Sequence, residues 1–262
     1  MSETAETSSG HAGDTAPTGA DLAFVLFATP RTASTQICTM LGQYFYRTLG
    51  YAGRDLSEYF NTVHTGVIKG NDGLWLYFNS AHLTTLDSRD ELLRRKALLA
   101  DEPRAYLFKF FPLNLTKAPE LFDWINETRR FICLERRDRV DQVLSWIIAQ
   151  QTKVFFQLPN EPDLEIPPGS IIVQESNVAN MIQEIRNYDT LKASIRHLWA
   201  TIYYEDFLNV ASFDDLARVC KLPPCGEIPY FRLKRMTYKR GKLDLLANPD
   251  AVMAWIEKYG PL

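Results

Sequence analysis

The chain has 262 residues, 46% of them hydrophobic, which is enough to bury a sizeable core. A net charge of −3 gives no overall footprint for a nucleic acid, so we expect no such partner, and any bound anion needs a local basic cluster. Residues 1–20 are mainly small and polar and lack a signal-peptide pattern, which is typical of a disordered tail. No apolar run approaches the roughly 18 residues of a membrane span. We therefore expect a cytoplasmic protein.

Predicted strands and helices alternate along the chain. The strands are predicted over 22–28, 105–110, 131–135 and 201–204. The helices are predicted over 35–48, 89–100, 121–128, 140–153, 178–197, 213–219 and 249–259. This alternation favours an α/β fold with a mainly parallel, doubly wound sheet covered by helices on both faces. We expect residues 21–262 to form a single domain of this kind.

The first motif is "FVLFATPRTASTQ", which predicts a strand, a short loop and a helix. Free amides at a helix N-terminus favour an anion, and Arg31, Thr32, Ser34 and Thr35 add donors beside them. The loop lacks the glycines and the lysine of the G-x-x-x-x-G-K-[ST] fingerprint, so an ATP site is not indicated. Alternatively, Thr32 or Ser34 merely caps the helix and Arg31 is solvated.

The second motif is "RRDRVDQVLS", which follows the strand predicted over 131–135. Arg137 lies at the carboxyl end of that strand, where ligands of doubly wound sheets bind. Ser145 lies about two turns into the next helix, so the two side chains can hold one phosphate between them. Alternatively, Asp138 and Asp141 pair with the arginines on a solvated helix start.

Together, "TPRTAST" and "RRDRVDQVLS" resemble the two nucleotide motifs of sulfotransferases that use 3′-phosphoadenosine-5′-phosphosulfate (PAPS). The spacing R-D-x-x-x-Q-x-x-S and the stretch "YYEDFL", residues 203–208, are most similar to the bacterial trehalose 2-sulfotransferase-like branch. The resemblance covers most of residues 22–222, in order. It implies a P-loop-like fold and transfer of a sulfuryl group to a hydroxyl, most simply on a sugar or a glycolipid.

The resemblance also implies roles for the residues of both motifs. Residues 31–35 would bind the 5′-phosphosulfate, with Ala33 where the family usually has glycine. Arg137 and Ser145 would bind the 3′-phosphate, a group that ATP lacks. Arg31 would neutralise the leaving phosphate. No metal is expected, because a sulfuryl group carries less charge than a phosphoryl group.

A second cation and a base complete the predicted chemistry. Lys109 in "YLFKFFP" ends a predicted strand and is the second candidate cation, or else a surface lysine with a buried stem. A phenylalanine, Phe111, stands where cytosolic sulfotransferases have a histidine base, so the base must come from elsewhere. The resemblance to the trehalose 2-sulfotransferase-like branch, which has a glutamate base soon after the first helix, implies Glu58 in "GRDLSEYFN". Asp55 and His64 remain alternatives to Glu58.

Other questions stay open from the sequence alone. The basic segment 232–242 either closes over the nucleotide or is a solvated strip. Aromatic residues in 59–82 and 153–177 are expected to line the pocket of a small-molecule or glycan acceptor. The family relatives suggest a homodimer, although no residue here indicates one. An ATP-dependent small-molecule kinase and a catalytically silent nucleotide-binding protein are the alternative functions.

Overall fold

The computed structural model describes residues 23–49, 54–55, 66–69, 75–78, 88–100, 106–115, 118–155, 162, 164–226 and 241–260. The strands in these ranges are β1 (Ala23–Phe27), β2 (Arg54–Asp55), β3 (Gly66–Lys69), β4 (Trp75–Phe78), β5 (Tyr106–Phe110), β6 (Arg130–Glu135) and β7 (Leu198–Tyr203). The helices are α1 (Ser34–Leu49), α2 (Ser88–Ala100), α3 (Glu120–Thr128), α4 (Arg139–Thr152), α5 (Glu175–Ala193), α6 (Tyr204–Phe207), α7 (Phe213–Val219) and α8 (Pro249–Tyr259). The predicted tail, 1–20, lies outside the described residues.

Five strands form one sheet in the order β2-β5-β1-β6-β7, and every pairing in it is parallel. The strands β3 and β4 form a separate antiparallel pair. The first strand, β1, lies at the centre of the large sheet, and its five residues are all buried. The predicted parallel α/β sheet is therefore confirmed. The order reverses at β1, so the carboxyl end of this strand is the expected place for a ligand.

Helices cover both faces of the sheet. Alternate residues of β1 point to opposite faces, and each set packs against its own group of helices. Phe24 and Leu26 pack in a cluster with α1 and α7. Val25 and Phe27 pack in a second cluster with α2, α3 and Tyr188 of α5. A third apolar cluster joins α4, α5 and α8. The prediction of helices on both faces is thus confirmed. The third cluster holds α4 in place, and this helix contains most of the second motif.

Two predicted elements have boundaries that are wrong by more than a residue. The helix predicted over 178–197 is α5, which begins at Glu175 and ends at Ala193. Its start lies earlier because the Asn177 side chain accepts a hydrogen bond from the Gln174 amide and so caps the first turn. The strand predicted over 201–204 begins at Leu198 and ends at Tyr203. The next residue, Tyr204, already belongs to α6.

The four cysteines are all free thiols, and Cys38, Cys133 and Cys220 are buried. Burial raises the pKa of Cys133 to about 12, which keeps this thiol protonated at neutral pH. Within the described ranges, no helix combines the length and the apolar character needed to cross a membrane.

Candidate functional site

The loop between β1 and α1 adopts a backbone conformation that is unusual for its residues. Arg31 has φ of 67° and Ala33 has φ of 60°, although neither residue is a glycine. A left-handed residue followed by a helical one turns successive amides toward one concave side, which is an anion-binding arrangement. No carbonyl of the described residues accepts a hydrogen bond from the amide of Ala33, Ser34 or Thr35. The loop thus has the backbone of an anion cradle.

The carbonyl groups of the loop are held by side chains. The Thr29 carbonyl accepts a hydrogen bond from the Thr32 hydroxyl at 2.8 Å, and the Pro30 carbonyl accepts one from Gln142 Nε2 at 2.7 Å. The Arg31 carbonyl accepts one from Arg136 Nη1 at 3.3 Å. With these contacts, the protein itself supports the strained backbone. Thr32 therefore uses its hydroxyl hydrogen inside the loop, so its amide is the group it can offer to a ligand.

Arg31 joins the two sequence motifs in space. Its Nε donates a hydrogen bond to Ser145 Oγ at 3.1 Å, although the two residues are 114 positions apart. Its Nη1 donates to the Phe155 carbonyl, which follows α4, at 2.5 Å. Ser145 itself is 5% exposed. The cation of the first motif and the hydroxyl of the second therefore lie at one site, at the carboxyl end of β1.

Lys109 brings a second cation to the same loop. It is only 2% exposed, and its Nζ donates to Thr35 Oγ1 at 3.1 Å. Its Nζ also lies 5.3 Å from the ring centroid of Phe111. The alternative of a surface lysine is therefore wrong. Because the Thr35 oxygen accepts from Lys109, the Thr35 hydroxyl can turn its own hydrogen toward a bound anion.

Arg137 does not contact Ser145 in this structure. Its Nη1 and Nη2 each donate to one carboxylate oxygen of Asp206 at 2.7 Å. Its guanidinium also lies over the Tyr203 ring, 4.2 Å from the centroid. The hydrogen bond to Asp206 raises the pKa of Arg137 and lowers that of Asp206, so both groups are charged at neutral pH. The carboxylate that Arg137 meets thus comes from the "YYEDFL" stretch.

Arg136, which we did not predict as a site residue, supports the loop from inside. It is 6% exposed, its Nη2 pairs with Asp141, and its guanidinium lies 4.3 Å from the Tyr204 ring centroid. Burial lowers the pKa of this guanidinium from its ordinary value. Asp141 also pairs with Lys242. The sequence does predict pairing of Asp141 with an arginine, but it does not say which of the neighbouring arginines is buried.

Gln142 is the other supporting residue that sequence reasoning did not select. It is fully buried, and its Nε2 donates to the Thr29 hydroxyl at 2.6 Å as well as to the Pro30 carbonyl. The signal for this role was its place in the R-D-x-x-x-Q-x-x-S spacing. Asp138, by contrast, caps α4, because its carboxylate accepts from the Asp141 amide at 2.7 Å.

The candidate bases fall largely outside the described residues. Glu58 and His64 both lie there, so their roles stay predictions. Asp55 is the last residue of β2 and lies opposite Leu107 of β5, which precedes Lys109 by two residues. The Asp55 side chain is outside the described part of the structure. Residues 232–240 of the basic segment are also outside the described residues, whereas Lys242 contacts the second motif through Asp141. No three His, Cys, Asp or Glu side chains in the described ranges converge as metal ligands, and the metal-free reaction stays a prediction.

These features define a parallel α/β protein whose central strand leads into a P-loop-like anion cradle with two cations. Comparisons of the chain with protein-family models, curated proteins and solved structures find no match. The function therefore has to be proposed from the site itself.

Proposed function

We propose that the chain is a sulfotransferase that moves a sulfuryl group from PAPS to an acceptor hydroxyl, on a carbohydrate or a glycolipid. The hydrogen bond between Arg31 Nε and Ser145 Oγ, at 3.1 Å, is the observation that carries this proposal. The two motifs behind the family resemblance follow the carboxyl ends of the neighbouring parallel strands β1 and β6, and their side chains meet there. Their contact supports a single ligand that reaches both.

The residues at the loop suit the charge that develops in sulfuryl transfer. As in phosphoryl transfer, the attacking and leaving oxygens lie in line, and charge builds up on the leaving phosphate. Arg31 and Lys109 place two cations next to the cradle, and Lys109 is almost fully shielded from water. Cations fixed in a site of low polarity stabilise such charge strongly. We assign both residues to the leaving group.

The remaining residues divide the nucleotide between them. Amides of residues 32–35 would hold the 5′-phosphosulfate, with the Thr35 hydroxyl as a further donor. Ser145 and Arg137 would hold the 3′-phosphate, with Arg31 closing the space between the two subsites. Glu58 would take the proton of the acceptor hydroxyl. Asp55 is the last residue of β2, which runs parallel to β5, the strand of Lys109. Glu58 follows Asp55 by three residues in the sequence.

Thermal unfolding of the purified full chain with different nucleotides tests the donor. We expect 3′,5′-ADP to raise Tm, and ATP with Mg²⁺ to raise it less or not at all. At a ligand concentration of about 100 Kd, the gain in the free energy of unfolding is about 2.7 kcal/mol. Stabilisation by ATP with Mg²⁺ alone would refute the sulfotransferase proposal and favour a kinase.

Turnover of labelled PAPS with a panel of glycans and phenols tests the reaction itself. We expect transfer to a glycan hydroxyl, and we expect Glu58→Gln to abolish it while 3′,5′-ADP still raises Tm. Asp55→Asn and His64→Gln are the matched variants, and transfer should survive in both. Full activity of Glu58→Gln would remove Glu58 from its role. Nucleotide binding without transfer to any acceptor would favour the silent binding protein.

A further inference from the structure

Two neighbouring carboxylates accept hydrogen bonds from Arg137 and Asp138, at the place where we propose that the 3′-phosphate binds. Asp206 accepts from both terminal nitrogens of Arg137 at 2.7 Å. Glu205, the residue before it, accepts from the Arg137 amide at 3.1 Å and from the Asp138 amide at 3.2 Å. A guanidinium fork and two adjacent amides at a strand end are the donors that bind phosphate oxygens. Here all of them are directed at α6.

We propose that Asp206, with Glu205 beside it, is a built-in competitor for the 3′-phosphate: it occupies the Arg137 fork until the nucleotide arrives and takes it back when the product leaves. This inference rests on the proposed function, because it assigns the 3′-phosphate to Arg137. It adds an affinity-setting residue that the two nucleotide motifs do not contain.

The contact is suited to exchange. The Arg137 and Asp206 side chains are 51% and 50% exposed, and ion pairs with such access to water are held weakly. A phosphate dianion offers more charge and more oxygens to the fork than one carboxylate does. Tyr203, stacked on the guanidinium at 4.2 Å, can keep the fork in place while its partner changes.

Glu205 strengthens the same competition through the backbone. Burial by itself raises the pKa of Glu205, but backbone hydrogen bonds, among them those from the Arg137 and Asp138 amides, together with the charge of Arg136 leave the pKa below its ordinary value. The carboxylate is therefore ionised at neutral pH. A nucleotide that reaches these amides has to displace an anion that is already present. Competition of this kind weakens nucleotide binding and speeds release of the 3′,5′-ADP product.

Calorimetric titration of the full chain tests this inference, with 3′,5′-ADP as the probe and 5′-AMP as the ligand without a 3′-phosphate. We expect Asp206→Asn to bind 3′,5′-ADP about two- to five-fold more tightly than the unmodified chain, as for loss of an exposed ion pair. Its affinity for 5′-AMP should not change. The gain should vanish when Arg137 is replaced by glutamine in the same chain.

Asp189→Asn is the matched control, because Asp189 pairs with Arg139 of the same motif at 3.1 Å and is 54% exposed. It removes the same charge from another exposed carboxylate without freeing Arg137, so 3′,5′-ADP affinity should stay as it is. Asp206→Ser provides a second variant, and Tm values show that each variant is folded. Equal or weaker 3′,5′-ADP binding by both Asp206 variants overturns the competitor. If no form of the chain binds 3′,5′-ADP, the proposed function fails and takes this inference with it.

Discussion

At the scale of single residues, Ala33 is one of two positions where the backbone of the loop is strained. Its φ of 60° is a conformation that glycine adopts freely and alanine does not. The family resemblance places a glycine here. The structure thus gives a physical reason for that glycine, and the chain meets the same backbone requirement with an alanine.

Ala33→Gly is expected to stabilise the protein by about 0.5–1 kcal/mol, since relief of the left-handed strain exceeds the entropy that glycine adds to the unfolded chain. Urea unfolding measures this. The control is Ala254→Gly on the exposed face of α8, where glycine should lower the free energy of unfolding by about 1 kcal/mol. A loss of stability in both variants would show that alanine at position 33 does not strain the loop.

A substitution at Lys109 tests whether the positive charge of this side chain, rather than its shape, is needed at the site. Lys109→Met keeps a long, unbranched side chain but removes the buried cation that contacts Thr35. If the proposed function holds, turnover of labelled PAPS should fall about 100- to 1000-fold, because a fixed charge next to the leaving group is lost. Lys96→Met is the matched control, since Lys96 lies over Trp124, away from the loop. Unchanged turnover in Lys109→Met would exclude Lys109 from the chemistry.

At the scale of elements, α4 is the support of the loop. Gln142→Leu removes the donor of two hydrogen bonds and leaves the buried Pro30 carbonyl and Thr29 hydroxyl without it. We expect the free energy of unfolding to drop by about 2 kcal/mol, together with weaker 3′,5′-ADP binding. Gln151→Leu, at an exposed position of the same helix, should change stability by less than about 0.5 kcal/mol. Equal effects of the two variants would contradict this role of Gln142.

The helix α5 anchors the turn after β5 through a carboxylate with a shifted pKa. Glu184 accepts from the Leu113 amide at 3.0 Å, and burial raises its pKa from 4.5 to about 7. The folded protein thus favours the protonated form. The stability that this group supports is complete below pH 4.5 and is lost as pH rises through about 7.

Glu184→Gln should therefore be more stable than the unmodified chain at pH 8, by about 1–3 kcal/mol, and close to it at pH 5. Urea unfolding at both values measures the difference. Glu175→Gln in the same helix is the control: its partners Lys258 and Tyr259 lower the pKa of Glu175, so its effect should be the same at pH 5 and pH 8. A pH-independent effect of Glu184→Gln would contradict the raised pKa.

The sequence predicted most elements because their signals are local. Apolar runs mark β1, β5 and β6, and the helix periods between them set the bounds within one residue. The start of α5 was misplaced because its cap uses Gln174 and Asn177, a weaker signal than a serine or an aspartate before an apolar run. The partner of Arg137 could not be predicted, since Asp206 lies 69 residues away and only the fold brings the two together.

At the scale of the whole molecule, Asp141 connects the C-terminal part of the chain to the loop after the first strand. Its carboxylate pairs with Lys242 on one side and with Arg136 on the other, and Arg136 holds the Arg31 carbonyl at 3.3 Å. Three distant parts of the sequence thus meet through two side chains, Asp141 and Arg136. If the basic segment 232–242 takes part in nucleotide binding, this contact brings its last residue to the site.

The two pairs of Asp141 should differ in strength. Arg136 is 7% exposed in its side chain, so Asp141→Asn leaves a buried cation short of its counter-ion and should lower the free energy of unfolding by about 2 kcal/mol. Lys242→Met leaves the pair with Arg136 intact and should change it by less than about 1 kcal/mol. Both variants are compared by urea unfolding, and 3′,5′-ADP affinity is measured on each. A larger loss for Lys242→Met than for Asp141→Asn would mean that the C-terminal contact, rather than the buried arginine, holds the loop in place.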